Sequence, residues 1–111
     1  MYGIEVRESG AGTTVELRGE WDLSSLGDLR ETLDSVLDLG RSTTVDLSGI
    51  TFLDLESARE LAVHSQLHAL FLRDPSPQVT ASLEAFRLRD WFRFRSDGDR
   101  EGPPVVSEAS S

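Results

Sequence analysis

Apolar side chains recur along this chain in two rhythms, every second residue and every third to fourth, and the order of these rhythms predicts its architecture. Over residues 2–8, Tyr2, Ile4 and Val6 alternate with Gly3, Glu5 and Arg7, the period of a half-buried strand. Residues 9–12 turn the chain back, and residues 13–21 repeat the alternation with Val15, Leu17 and Trp21 on one face, so the two strands pair as a hairpin. From Leu26 the period lengthens. Leu26, Leu29, Leu33, Val36 and Leu37 fall at helical spacing, with Asp28, Arg30, Glu31 and Asp34 on the other side. Asp22 or Ser24 offers a capping oxygen before this helix, and Gly40 supplies its stop.

Residues 43–47, TTVDL, are short and rich in β-branched side chains, as suits a buried central strand. A Ser48-Gly49 turn and an extended stretch over residues 50–53 lead to Asp54. Beyond it Ala58, Leu61, Ala62 and Ser65 sit at i, i+3, i+4 and i+7, which predicts a short second helix over residues 55–65. Residues 67–73 read as a strand ended by Asp74-Pro75, because proline restricts the residue before it to extended geometry. Ser76-Pro77 then opens a third helix with Val79, Leu83, Phe86 and Leu88 as its apolar stripe, and Trp91, Phe92 and Phe94 suggest a last short strand. Strands that alternate with helices after an opening hairpin imply an α/β fold. Its expected form is a mixed open β-sheet with an N-terminal hairpin and helices packed mainly on one side.

Composition sets the limits of this domain. Residues 96–111 turn to Gly, Pro, Ser and acid with little apolar beyond Val105 and Val106, too little burial to offset chain ordering. The expected division is a folded domain over residues 1–95 and a disordered acidic tail over residues 96–111. The net charge is −9, carried against eleven cations that are all arginine. Such an acidic balance disfavours nucleic acid and anionic membrane as partners, since both need a basic footprint, and points to protein. Cysteine is absent, which excludes disulfides, thiolate catalysis and cysteine metal sites together. No apolar run approaches the roughly 20 residues of a membrane span, and the first ten residues have no signal-peptide pattern, so a cytoplasmic protein without direct membrane insertion is expected.

The candidate chemistry lies where the central strand runs into the second helix, because loops at the C-terminal ends of strands, facing a helix N-terminus, are common contact points in α/β units. Asp54, Glu56 and Ser57 stand there. Asp54 and Glu56 have no nucleophile, metal or oxyanion donor set beside them, so a helix cap and a first-turn acid are expected rather than a catalytic pair, with no cofactor. His64 and His68 are four apart, but the helix is expected to end between them and no third ligand follows, so no metal site is expected. Residues 87–95, RLRDWFRFR, mix arginines with aromatics. Asp90 interrupts them, and the expected structure is a packed corner with a solvated basic rim. Ser48 and Gly49 serve as turn residues.

Three stretches in order, LRGEWDLSSLGDLRETL at 17–33, VDLSGITFLD at 45–54, and LRDPSPQV with LRDWF at 72–79 and 88–92, make the chain resemble a STAS domain. This is the module of bacterial anti-sigma factor antagonists and of sulfate transporter tails. In that family Phe-(Leu/Ile/Met)-Asp is followed by Ser-Ser-Gly or Ser-Thr-Gly, and the second hydroxyl residue accepts phosphate from an anti-sigma factor with serine kinase activity. The resemblance implies a partner surface made of Asp22, Ser48, Gly49, Thr51, Asp54, Leu55, Glu56, Ser57 and Arg59. Aligned without a gap, Glu56 occupies the phosphoacceptor position and Ser57 replaces the family glycine. A glutamate brings one charge where phosphoserine brings about 1.5 to 2, so it is a partial mimic at best, which leaves a module locked as if phosphorylated or one that binds a different partner and never needed the switch. A register slipped by one residue would instead make Ser57 the phosphosite, at the expense of placing Arg59 where the family keeps an apolar residue. The segment from Asp54 to Pro75 is also shorter than the family's, and the resemblance implies that Trp91 and Phe92 turn inward to cap the core. The resemblance therefore implies a non-catalytic binding module for an anti-sigma factor or serine-kinase-like regulator, without the usual serine switch. An accessory STAS subunit of a membrane transporter complex is the alternative, and a homodimer through the exposed first strand stays open.

Overall fold

The computed structural model describes residues 1–68 and 70–95, so the expected tail at 96–111 lies outside the described residues. The elements are β1 (Tyr2–Ser9), β2 (Gly12–Trp21), α1 (Leu26–Leu37), β3 (Thr43–Leu53), α2 (Leu55–Leu67), β4 (Leu70–Arg73) and α3 (Pro77–Ala85). A 3-10 turn at Arg89–Trp91 then leads into β5 (Arg93–Arg95). The strands lie side by side in chain order in one five-stranded sheet. The β1–β2 hairpin is antiparallel and every later neighbour is parallel. The fold is the mixed α/β sheet that the alternation of rhythms implies.

From β2 onward each connection steps to the next strand in the same direction, so right-handed crossovers carry α1, α2 and α3 to one face. Burial along β2 agrees with this. Thr13, Val15, Leu17 and Trp21 are buried beneath the helices, while Arg18 on the opposite face is exposed. The core between sheet and helices joins Leu17, Trp21, Leu47, Ile50 and Leu53 from the strands to Leu29, Leu33, Leu61 and Leu83 from the helices. The uncovered face is polar. On it Glu5 pairs directly opposite Glu16, a repulsive cross-strand pair that Arg7 and Arg18 neutralise at 3.2–3.8 Å.

Several local details depart from the sequence-based expectation. β3 continues through Ser48 and Gly49 instead of turning. The turn chemistry is present, since the Asp46 carboxylate accepts from the Ser48 amide at 2.9 Å and its hydroxyl at 2.8 Å. The strand stays paired because β2 shifts register twice against it, and Gly49 permits the close approach: a Cβ there would lie 2.9 Å from Arg18 Cγ. α2 runs on to Leu67, which leaves β4 only Leu70–Arg73. Its last-turn carbonyls find a donor distant in sequence, the Arg93 guanidinium, at 3.0 Å from the Ser65 oxygen and 2.7 Å from that of His68. Asp74 is left-handed (φ 51) rather than extended before Pro75, a region that aspartate enters more readily than most residues. The N-cap of α1 is Ser25, not Asp22 or Ser24. In the C-terminal corner Phe92 is buried as expected, but Trp91 is half exposed on the 3-10 turn.

Candidate functional site

The C-terminal ends of β2 and β3 lie together, with Trp21 paired to Leu53. The Asp54 amide donates to the Trp21 carbonyl at 3.0 Å, so the loops leaving both strands start side by side. Trp21 fixes this end of the sheet: it is fully buried, its indole donates to the Arg18 carbonyl at 3.0 Å, and its ring meets that of Tyr2 at 4.9 Å. Asp54 is the N-cap of α2, in extended conformation, with Oδ1 accepting from the Ser57 amide at 2.8 Å. Asp22 organises the neighbouring loop. Its carboxylate accepts from the Ser24 hydroxyl at 2.6 Å and the Ser24 amide at 2.9 Å, and these bonds hold it below the usual carboxylate range.

The first turn of α2 separates two adjacent side chains onto different faces. Glu56 is exposed and pairs with Arg59 at 3.3 Å, while Ser57 is fully buried with no hydrogen-bond partner for its hydroxyl. Leu55 lies between them in degree of burial and packs against the core. Asp22, Asp54, Leu55, Glu56, Ser57 and Arg59 therefore gather at one end of the sheet. Thr51 is exposed on the approach to it. Ser48 and Gly49 do not join them: they lie about 15 Å down β3 from Leu53, at the usual rise per strand residue. They border a shallow depression on the uncovered face with Glu16, Arg18 and Asp46.

Two exposed apolar side chains at this end escaped the sequence reading, Leu23 at 70% exposure and Phe52 at 50%. Ile50 and Leu53 are both buried although they stand three apart on one strand, so the alternation breaks between them and Phe52 is left outward. Another missed feature joins α1 to α2. His64, in the last turn of α2, is buried; its Nδ1 lies 2.9 Å from the Glu60 carbonyl and its Nε2 3.1 Å from the Asp34 carboxylate. Arg30 reaches Glu60 at 2.9 Å beside it. His68 is exposed at the C-cap, and among the described residues no group of three or more metal-binding side chains converges. Nor is any described helix long and apolar enough to cross a membrane.

The chain is similar in structure to an anti-sigma factor antagonist from Mycobacterium paratuberculosis, with a TM-score of 0.77 at 17% identity over 85% of each chain. It is also similar to the anti-sigma factor antagonist SpoIIAA in its unphosphorylated form, with a TM-score of 0.58 at 17% identity over 87% of this chain and 91% of that one. The Bacillus cell fate determinant SpoIIAA in its phosphorylated form gives 0.60 at 15% identity, over 87% and 95%. At such identities these are likenesses of fold. No curated protein matches the chain significantly. A family model described as "Mlab, STAS domain" matches residues 4–94, nearly all of the described fold. The chain belongs to the STAS domain family.

Proposed function

We propose that this STAS domain is a non-catalytic cytoplasmic regulator that binds an anti-sigma factor related to serine kinases, and that its fixed acid Glu56 takes the place of a phosphorylatable serine. The observation that carries this reading is the division of labour in the first turn of α2. Glu56 projects to solvent beside the cap residue Asp54, whereas Ser57, the neighbouring hydroxyl, is enclosed by the core. A kinase reaches exposed hydroxyls, so the accessible position here carries a carboxylate that no kinase can charge further. Asp22, Thr51, Leu55 and Arg59 complete the contact surface around Glu56, with Leu23 and Phe52 adding apolar area that a partner would cover. The depression at Ser48 and Gly49 makes a separate, outlying part of that surface. The fold likeness to two anti-sigma factor antagonists supports the class of partner.

Affinity purification from the protein's own cell tests the reading. The expected capture is a serine-kinase-related regulator, weakened at least tenfold by Glu56→Arg and little by Ser48→Ala. Capture of an ATPase or permease subunit instead would favour the transporter-accessory alternative. Recovery of no regulator, or indifference to Glu56→Arg, would refute the proposal.

A further inference from the structure

At the end of the sheet remote from Glu56, where Thr13 of β2 pairs with Thr43 of β3, a cleft of about 30 Å³ opens among Thr13, Ser42, Thr44, Arg73 and Arg95. Its lining is unusual for the hydrogen-bond donors it leaves uncommitted. Arg73 is only 8% exposed, and its Nη2 donates to Asp46 at 3.0 Å. Its Nε has no hydrogen-bond partner and forms only a long ion pair with the Asp74 carboxylate, at 3.8 Å. Thr13 borders the cleft with its backbone, since its side chain turns with Val15 and Leu17 to the helix-covered face. Arg95 donates to the Thr44 hydroxyl and the Ser42 hydroxyl, each at 2.9 Å. A hydroxyl that accepts from a guanidinium still has its own proton to give, so both become donors into the same space. Arg95 pairs with no carboxylate among the described residues and stacks at 3.9 Å over Phe71, a contact that holds its planar fork in place without neutralising it.

A buried donor without an acceptor destabilises the fold, so a cleft lined by such donors is complementary to a ligand that only accepts. The volume suits it. Roughly 10–15 Å³ is needed for each water-sized group, so the cleft takes two oxygens of a larger group whose remainder stays in solvent. Arginine forks match the planar spacing of paired oxygens in carboxylates and phosphates. In a chain with a net charge of −9 such a donor cluster is not explained by overall composition. We infer that Arg73 and Arg95, with the hydroxyls of Ser42 and Thr44, form an oxyanion-binding site for a terminal phosphate or carboxylate group. It lies apart from the surface around Glu56 and does not depend on the function proposed for it.

Titration of the full chain at constant ionic strength tests this, with inorganic phosphate and acetate as probes and chloride as the reference salt. The expected result is saturable shifts in the amide signals of Thr13, Ser42 and Thr44 and in the Arg73 and Arg95 side-chain NH signals. Shifts with phosphate alone identify a phosphate site, with acetate alone a carboxylate site, and with both a site for either group. Arg95→Gln should weaken binding at least tenfold while thermal unfolding shows the fold retained; Arg18→Gln, a cation on the same face outside the cleft, should leave it unchanged. Shifts that match those of chloride, or binding that survives Arg95→Gln, would overturn the assignment.

Discussion

Replacing Asp54 separates its structural work from its charge. Its Oδ1 accepts from the Ser57 amide at 2.8 Å, and Ser57 is fully buried, so in Asp54→Ala that amide loses its partner where water cannot easily replace it. Loss of an N-cap costs about 0.5–2 kcal/mol, and an orphaned buried donor falls toward the upper part of that range. The carbonyl of residue 54 still accepts from Ala58, at 3.0 Å in the native chain, so the helix start is weakened and not abolished. The expected loss is therefore about 1–2 kcal/mol. For a domain of this size each kcal/mol moves the melting temperature by roughly 4–8 °C. Asp54→Asn keeps an oxygen in the same place and removes only the charge, whose favourable interaction with the helix terminus is worth about 0.3–1 kcal/mol at an accessible site. Urea unfolding and thermal melts of the three proteins should rank native above Asn above Ala, with unchanged m-values. If Asn is as damaging as Ala, the charge and not the hydrogen bond carries the effect; if Ala melts with the native protein, the cap reading is wrong.

Two further outcomes can be checked on the same purified chain. Burial pushes the Asp46 carboxyl up, but the Ser48 amide and hydroxyl and the Arg73 guanidinium outweigh it and leave the group below its ordinary value. A depressed native value contributes stability that is present above the ordinary carboxylate range and is lost as pH falls through the native value, so melting temperature should drop on acidification below about pH 4 and drop less steeply in Asp46→Asn; parallel acid limbs would disprove this. Ser57→Ala removes a buried hydroxyl that has no partner, so stability should be unchanged or raised by up to about 1 kcal/mol, whereas a loss above about 1 kcal/mol in urea unfolding would mean that the hydroxyl is satisfied in solution.

The order of the elements could be read from the sequence because each buries a stripe with its own period: Val15 and Leu17 at two, Leu26 through Leu37 at helical spacing. Where the reading failed, contacts between distant segments decided the outcome. Nothing near Leu67 says that the helix should continue, since the donor for its final carbonyls is Arg93. Nothing near His64 announces Asp34 on the preceding helix, the contact that meets it as it turns inward. Ser48 and Gly49 carry true turn chemistry, yet pairing with β2 keeps them extended. The candidate site was legible in its cap and its acid. Its exposed Leu23 and Phe52 were not, because the alternation that would have placed Phe52 is broken by the register shifts of β2.

The helix itself limits how Glu56 and Ser57 could exchange roles. Successive residues of an α-helix point about 100° apart, so the two cannot share a face. Ser57, Ala58, Leu61, Ala62 and Ser65 line the buried side of α2, while Glu56 and Arg59 line the exposed side. Slipping the register by one residue to present Ser57 would rotate this pattern, lifting Leu61 off the core and turning Arg59 inward. Losing the burial of Leu61 alone costs about 1.5–3 kcal/mol, before the desolvation of a guanidinium is counted. The apolar pattern of α2 thus keeps Glu56 as the exposed residue of the turn and Ser57 as the enclosed one. On the proposed function, the charge offered to a partner is then fixed at the level of one carboxylate, already shared with Arg59 at 3.3 Å. Regulation at this junction would have to come through the partner's abundance or through competition for the surface, since phosphorylation of Ser57 would first require the first turn of α2 to open.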